Sequence, residues 1–211
     1  MPERGSRFQE MVAAARDLLE TDGPEALTMR RVATRLGIRE PSLYKHCSGR
    51  DQLLAAVVAS GMRELAEGRR EALRAAAGVT DALAGMAAQQ REYAARHPHL
   101  YRLMFDRPFP RELLAAQADA QAWLPVVEVL GTEERVWAAF AFAHGMLELE
   151  RTGRLPPGDR LEAVWRVGLE AFEGASRRPL ERPEAARELD ACRDLVADLE
   201  AALAAFHRGR D

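Results

Sequence analysis

The chain has 211 residues, 47% of them apolar and 30% charged, and its 33 acids against 30 bases give a formal net charge of −3. That length exceeds a single small module and fits one small plus one larger helical unit, and no run approaches the roughly 18 apolar residues of a membrane span. Only Cys47 and Cys192 are present, which excludes a disulfide-stapled scaffold; with an opening MPERGSRF that lacks an apolar leader core, a soluble, cytoplasmic protein with no membrane partner is expected.

Residues 1–6 read as a flexible arm, with Arg4 and Arg7 available to phosphates. Phe8, Met11, Val12, Ala15, Leu18 and Leu19 then form an apolar stripe of helical period that stops near Thr21, Asp22 and Gly23, where Pro24 prevents extension. From Leu27 to Leu54 two short helical patterns flank a glycine. Thr28 can cap the first, and Met29, Val32, Ala33 and Leu36 share one face of it. Gly37 can end it in the left-handed conformation that other residues enter only with strain. A second helix is expected to start near Glu40 and Pro41, with Leu43 and Cys47 turned inward and Pro41, Ser42, Tyr44, Lys45 and His46 on or near the open face. This is the outline of a helix-turn-helix, whose second helix lies in a DNA major groove. From Thr28 to Arg50 there are six basic residues and one acid, a net of +5, which leaves −8 for the rest of the chain. A positive face confined to one end of an acidic protein suits phosphate binding there.

These residues resemble the DNA-binding segment of TetR-family transcriptional regulators, in which Leu-Tyr-x-His-Phe is followed by a basic residue and a long connecting helix. Here the run is Leu43, Tyr44, Lys45, His46, Cys47, then Ser48, Gly49, Arg50 and Asp51. The resemblance implies that Thr28, Arg30, Pro41, Ser42, Tyr44, Lys45, His46 and Arg50 touch DNA. Cys47 stands where the family carries an aromatic, a smaller core plug that reads as inert filler rather than a redox switch. Glu40 puts an acid at the tip of the reading helix. It either accepts from a cytosine amino group, repels unwanted bases, or is merely solvated.

Ser48 and Asp51 form a capping-box pattern for the next helix, which runs through Leu53, Leu54, Val57, Val58, Met62 and Leu65 towards Ala75. Its position suits a mechanical link between DNA and ligand. Further helices are expected from Gly78 and Thr80 to Arg96, from Leu100 to Met104, from Arg111 to Leu130, from Glu133 to Thr152, and from Asp159, capped with Glu162, onwards. No alternating strand pattern is present. Val136, Phe140, Ala143, Met146 and Leu147 make one apolar face of the helix from Glu133 to Thr152, and Trp137, Ala141, His144 and Gly145 a neighbouring one. Together with Trp165, Gly168, Leu169 and Phe172 in the next helix, this exceeds a single buried stripe. A dimer interface at Trp137, Ala141, Gly145, Trp165, Gly168, Leu169 and Phe172 is expected, with a thick core within one chain as the alternative. Tyr93, Pro98, Tyr101 and the His144–Gly145 pair resemble a TetR-like C-terminal domain, which implies dimerisation through its last two long helices.

Met62, Met86, Tyr93, Met104, Phe105, Phe109, Trp123, Phe140 and His144 are the candidates to line an effector pocket, because methionine and aromatic side chains adapt to apolar ligands. His97 and His99 flank Pro98 at a helix break, a poor spacing for two metal ligands, so no metal and no cofactor are expected. Neither a nucleophile elbow nor a phosphate-cradling glycine loop occurs, and nothing argues for an enzyme. Residues 174–182 read as a linker, and Leu189, Cys192, Leu195, Val196, Leu199, Leu203 and Phe206 as an amphipathic C-terminal helix.

The expected protein is all-α. A three-helix helix-turn-helix domain (1–52) precedes a helical effector-binding and dimerisation domain (53–175) and an additional helix (183–207). Its function would be that of a TetR-like regulator, most simply a repressor that binds a pseudo-palindromic double-stranded operator as a homodimer and is released by a small, mainly apolar effector. An architectural or interaction DNA-binding protein without an effector is the alternative.

Overall fold

In a computed structural model, which describes residues 4–105, 114 and 116–175, every regular element is helical. The α-helices are α1 (Arg4–Asp22), α2 (Met29–Arg35), α3 (Arg50–Ala75), α4 (Val79–Arg96), α5 (Pro98–Phe105), α6 (Ala116–Leu130), α7 (Glu133–Arg151) and α8 (Asp159–Ala175). The chain divides into two compact units, residues 1–65 with 92–119 and residues 66–91 with 120–211. The boundary expected at residue 52 thus falls inside α3, which contributes its residues through Leu65 to the first unit and the remainder to the second. Residues 4–6, expected in a loose arm, are the first turn of α1. The C-terminal helix expected at 183–207, and the start of the helix expected at Arg111, lie outside the described residues.

Within the first unit, the α1 stripe predicted by periodicity supplies Met11, Ala15 and Leu19 to a core that they share with Leu27, Val32, Leu43, Leu53 and Val57, all essentially without solvent exposure. The turn after α2 follows from two local choices. Thr28 is extended (φ −120°, ψ 150°) and its side chain accepts from Arg31 N at 3.3 Å, closing the helix start. At the other end Gly37 takes φ +67°, and Gly37 N donates to Thr34 O (3.1 Å) while Ile38 N donates to Ala33 O (3.0 Å). Those paired bonds satisfy two carbonyls that the helix end would leave orphaned.

The second helix of the motif differs from expectation. Glu40–Lys45 forms a 3-10 helix rather than an α-helix. Its six residues hold Pro41, which has no N–H to give, so too few i→i−4 bonds are available to offset helix nucleation and the tighter 3-10 pattern prevails. The inward pair survives this change. Leu43 and Cys47 are buried, and Cys47 N donates to Leu43 O at 3.0 Å. The start of α3 also differs, because Ser48 N and Oγ both donate to Gln52 Oε1 (2.6 and 3.0 Å) and Asp51 is not the partner.

Arg16 and Glu20 tie α1 to α3 and α5. Arg16 forms a bidentate pair with Glu64 on α3, its Nη2 lying 2.8 Å from Oε2, and Tyr93 Oη donates to the same carboxylate at 3.2 Å. Burial works to raise the Glu64 carboxyl, but the Arg16 guanidinium prevails and holds it below the usual glutamate range. Burial, followed by the Glu64 charge, pushes the Tyr93 phenol up. Glu20 receives the backbone N–H groups of His99 (3.3 Å) and Leu100 (3.0 Å), so a carboxylate of α1 caps the N-terminus of α5.

Within the second unit, α7 is capped by Thr132, which accepts from Arg135 N at 3.5 Å, and α6 continues through an internal Pro125. Arg91 of α4 reaches Glu150 of α7 (3.0 Å) and Glu162 of α8 (2.9 Å) and lies 5.3 Å from the centroid of the Trp165 ring. One guanidinium thereby holds three helices. Gly168 of α8 makes room for Phe142 of α7, whose ring would lie 2.0 Å from an added Cβ, so this glycine serves packing inside one chain.

Candidate functional site

The basic residues of the helix-turn-helix divide into two groups. Arg31 pairs with Asp22 at 2.5 Å and Arg35 with Asp17, so both arginines clamp α2 onto α1. Arg30, Arg39 and Lys45 are exposed, and none of the ion pairs among the described residues involves them. Arg50 is exposed but anchored, with Nε donating to Leu27 O at 2.8 Å. The charge available to phosphates is therefore concentrated along the start of α2, the reading element and the first turn of α3.

Of the eight residues taken as DNA contacts, Thr28, Arg30, Pro41, Tyr44, Lys45 and Arg50 are exposed, while Ser42 and His46 are half-buried. Thr28 spends its side-chain oxygen on the α2 cap. The Nδ1 of His46 is enclosed and has no hydrogen-bond partner. Tyr44 is 51% exposed, and its hydroxyl donates to Glu40 Oε1 at 3.5 Å, so the acid at the start of the reading element lies against the tyrosine. A basic, solvent-facing edge with a tyrosine standing out of it, over a fully buried Leu43, can contact phosphates and base edges without disturbing its own core.

The candidate effector residues separate between the two units. Met62, Tyr93 and Met104 are buried in the first unit; Tyr93 and Met104 pack against Gly61, where an added Cβ would lie 2.7 Å from Met104 Sδ and 3.0 Å from Tyr93 Oη. Phe105 meets Tyr101 there, with ring centroids 4.9 Å apart, and Phe109 lies outside the described residues. In the second unit, Met86, Trp123 and Phe140 line a common cavity of about 40 Å³, and His144 stacks on Phe140 with centroids 5.4 Å apart. Two residues that sequence reasoning missed share that cavity. Arg69 and Gln90 are 2% and 4% exposed. Their signal was present: Met62, Leu65, Ala66 and Arg69 follow one helical face of α3, and Leu83, Met86, Ala87 and Gln90 one face of α4, so each polar residue continues an apolar stripe.

The residues expected at a dimer interface also divide. Trp137 and Ala141 are exposed, Gly145 is half-buried with no atom near the position of a Cβ, and Phe172 is half-buried. Trp165 and Leu169 face the core of their own chain, and the large apolar residues exposed among the described residues of α8 are Val164 and Val167. No cluster of His, Cys, Asp and Glu placed to hold a metal occurs among the described residues, and none of their helices is long and apolar enough to cross a membrane.

Residues 11–57 match the model of bacterial regulatory proteins of the tetR family, and residues 83–172 match the tetracyclin repressor-like C-terminal domain. An HTH-type transcriptional regulator of Mycobacterium tuberculosis is 32% identical over 195 residues, covering 84% of each chain. The HTH-type transcriptional activator FasR of Mycolicibacterium smegmatis is 28% identical over 109 residues, covering 52% of this chain and 50% of its own. Among solved structures, the transcriptional regulator FadR of Bacillus subtilis in complex with stearoyl-CoA superposes with a TM-score of 0.57 at 14% identity, covering 78% of this chain and 97% of that one.

Proposed function

Because the chain belongs to the TetR family of transcriptional regulators, we propose that it acts as a homodimeric repressor that reads a pseudo-palindromic operator and releases it when a small, mainly apolar effector binds. The observation that carries this is the distribution of exposed apolar side chains. Among the described residues the large ones that remain exposed are Tyr44, on the basic reading edge, and Trp137, Leu149, Val164 and Val167, all on α7 and α8. A surface otherwise polar keeps such groups exposed where a partner covers them. DNA suits the first site and a second copy of α7 and α8 the others.

One reading element contacts only a few bases, whereas two related by a dyad read half-sites a helical turn or more apart, which multiplies specificity. Effector binding in the second unit reaches the DNA-reading unit through α3 and α4, since each contributes residues to both. The stearoyl-CoA complex of the Bacillus subtilis neighbour supports an apolar effector by analogy of fold alone.

Selection of bound DNA from a random pool, repeated at several salt concentrations, tests the proposal. A palindromic consensus and a steep loss of affinity with salt are expected, and a sequence-independent pool would contradict it. The activator name of the Mycolicibacterium smegmatis relative favours a second reading, in which the same complex raises transcription. A reporter driven from the selected operator decides: adding the protein lowers expression under the first reading and raises it under the second.

A further inference from the structure

We propose that Glu40 fixes one base of each half-site by accepting a hydrogen bond from the N4 amino group of a cytosine in the major groove; this rests on the reading of the basic edge as the DNA-reading surface. Glu40 is the only acid between Thr28 and Arg50. Arg30, Arg39, Lys45 and Arg50 are exposed in the same stretch, yet none of the ion pairs among the described residues involves Glu40. Its Oε1 accepts instead from Tyr44 Oη at 3.5 Å, and its Oε2 has no hydrogen-bond partner among the described residues. The backbone beneath the half-buried acid is held as well. Arg39 is extended (φ −78°, ψ 139°), Ser42 N donates to Arg39 O at 2.9 Å, and the ring of Pro41 fixes the next φ, so Glu40 opens the reading element within a closed first turn. In a helix-turn-helix, the N-terminal residues of the reading helix are the ones that reach base edges. Glu40 thus brings a carboxylate oxygen without a partner to the end of the element from which bases are read.

A carboxylate at this place works against binding unless a base offers it a donor. It cancels part of the attraction that Arg30, Arg39 and Lys45 exert on the phosphates of any sequence. An ionised glutamate only accepts hydrogen bonds, so the partner in the groove has to donate. Guanine O6 and N7 and thymine O4 are acceptors and repel it. Adenine has a donor at N6 but carries the N7 acceptor beside it. Cytosine alone presents a major-groove donor with no acceptor of its own alongside. One acid therefore attracts a single base and disfavours the other three, and specificity here comes from both effects. The hydrogen bond from Tyr44 narrows the positions open to the carboxylate and so lowers the cost of ordering it on the base.

Selection from a random pool of duplexes, run in parallel on the full chain, on Glu40→Gln and on Glu40→Ala, reads the assignment. In the unaltered protein one position of each half-site is expected to be cytosine, with any other base there costing at least about tenfold. Glu40→Gln keeps the size of the side chain and an oxygen for Tyr44, so the edge stays intact. That variant is expected to move the position to adenine, whose N6 and N7 suit an amide, and Glu40→Ala to leave it degenerate, with the rest of the consensus unchanged in both. A consensus identical in all three proteins, or a Glu40-dependent position that is not cytosine, overturns the proposal. So does a Glu40→Ala protein that binds every sequence more tightly and still selects cytosine there, the result for an acid that only repels. A palindromic consensus that does not respond to Glu40 defeats this assignment alone, whereas absence of any consensus in the unaltered protein removes the DNA-reading proposal with it.

Discussion

Replacing Val167 by Asp should dissolve the proposed dimer while sparing the fold. Val167 is 65% exposed on α8, and a Cβ–Cγ group so exposed stabilises nothing in the isolated chain. Its side chain offers roughly 100 Å², so complete burial against a second copy contributes about 2.5 kcal/mol per subunit, about 5 kcal/mol for the twofold pair. Aspartate forfeits that gain and adds the cost of desolvating two like charges across a dyad, which weakens the dimer constant by about three orders of magnitude or more. Sedimentation equilibrium at micromolar concentration measures the constant, and far-UV circular dichroism melting reports the fold. An unchanged constant in Val167→Asp would refute assignment of the α7–α8 surface to the dimer. Trp165→Ala supplies the contrast, since that side chain is buried within its own chain and its loss should cost about 3–5 kcal/mol of folding stability.

Other outcomes follow from individual contacts. Lys45→Ala should weaken DNA of every sequence and reduce the salt slope by about one, as a lost phosphate contact does, whereas Tyr44→Ala should abolish operator binding; self-association should be unchanged in both, because the two side chains lie in Glu40–Lys45 and not on α7 or α8. Leu43→Ala, which empties a fully buried site beneath the reading edge, should lower unfolding stability by about 2–5 kcal/mol in denaturant titration. The Glu64 carboxyl is held below its ordinary value by Arg16, so its contribution is complete above that value, near 4.5, and is lost as pH falls through the lower folded value. Because Glu64 is well exposed, the loss should stay under about 1 kcal/mol, and Glu64→Gln should flatten the difference in melting between about pH 6 and pH 3. Glu20→Ala removes the carboxylate from the start of α5 and should cost about 0.5–2 kcal/mol, read as earlier amide exchange at His99 and Leu100.

Features decided within a few residues were legible from sequence. Thr28 and Gly37 announce the ends of α2 because a β-region cap and a left-handed glycine are local necessities, and the helical periods of α4, α7 and α8 placed those elements closely. What depends on distant partners was not. Nothing in the run from Thr28 to Arg50 distinguishes Arg31 and Arg35, which pair with acids on α1, from Arg30 and Lys45, which do not. Amphipathic periodicity shows that α8 has more apolar residues than one buried face needs, but it cannot say which residues its own chain covers. Trp165 and Leu169 turned inward and Val164 and Val167 outward. The apolar candidates for one pocket likewise separated, because α3 and α4 each pass from one unit into the other and the side of the division on which Met62 or Met86 falls is set by packing against the remaining helices.

The central claim is that two copies present the Tyr44 edge to one duplex. Affinity for the selected operator, compared with the same operator scrambled in one half-site, tests it most directly. Scrambling should cost at least about a hundredfold at fixed salt, with two proteins bound to the intact site. An affinity unchanged by the loss of a half-site, or a single chain on the intact operator, would contradict it.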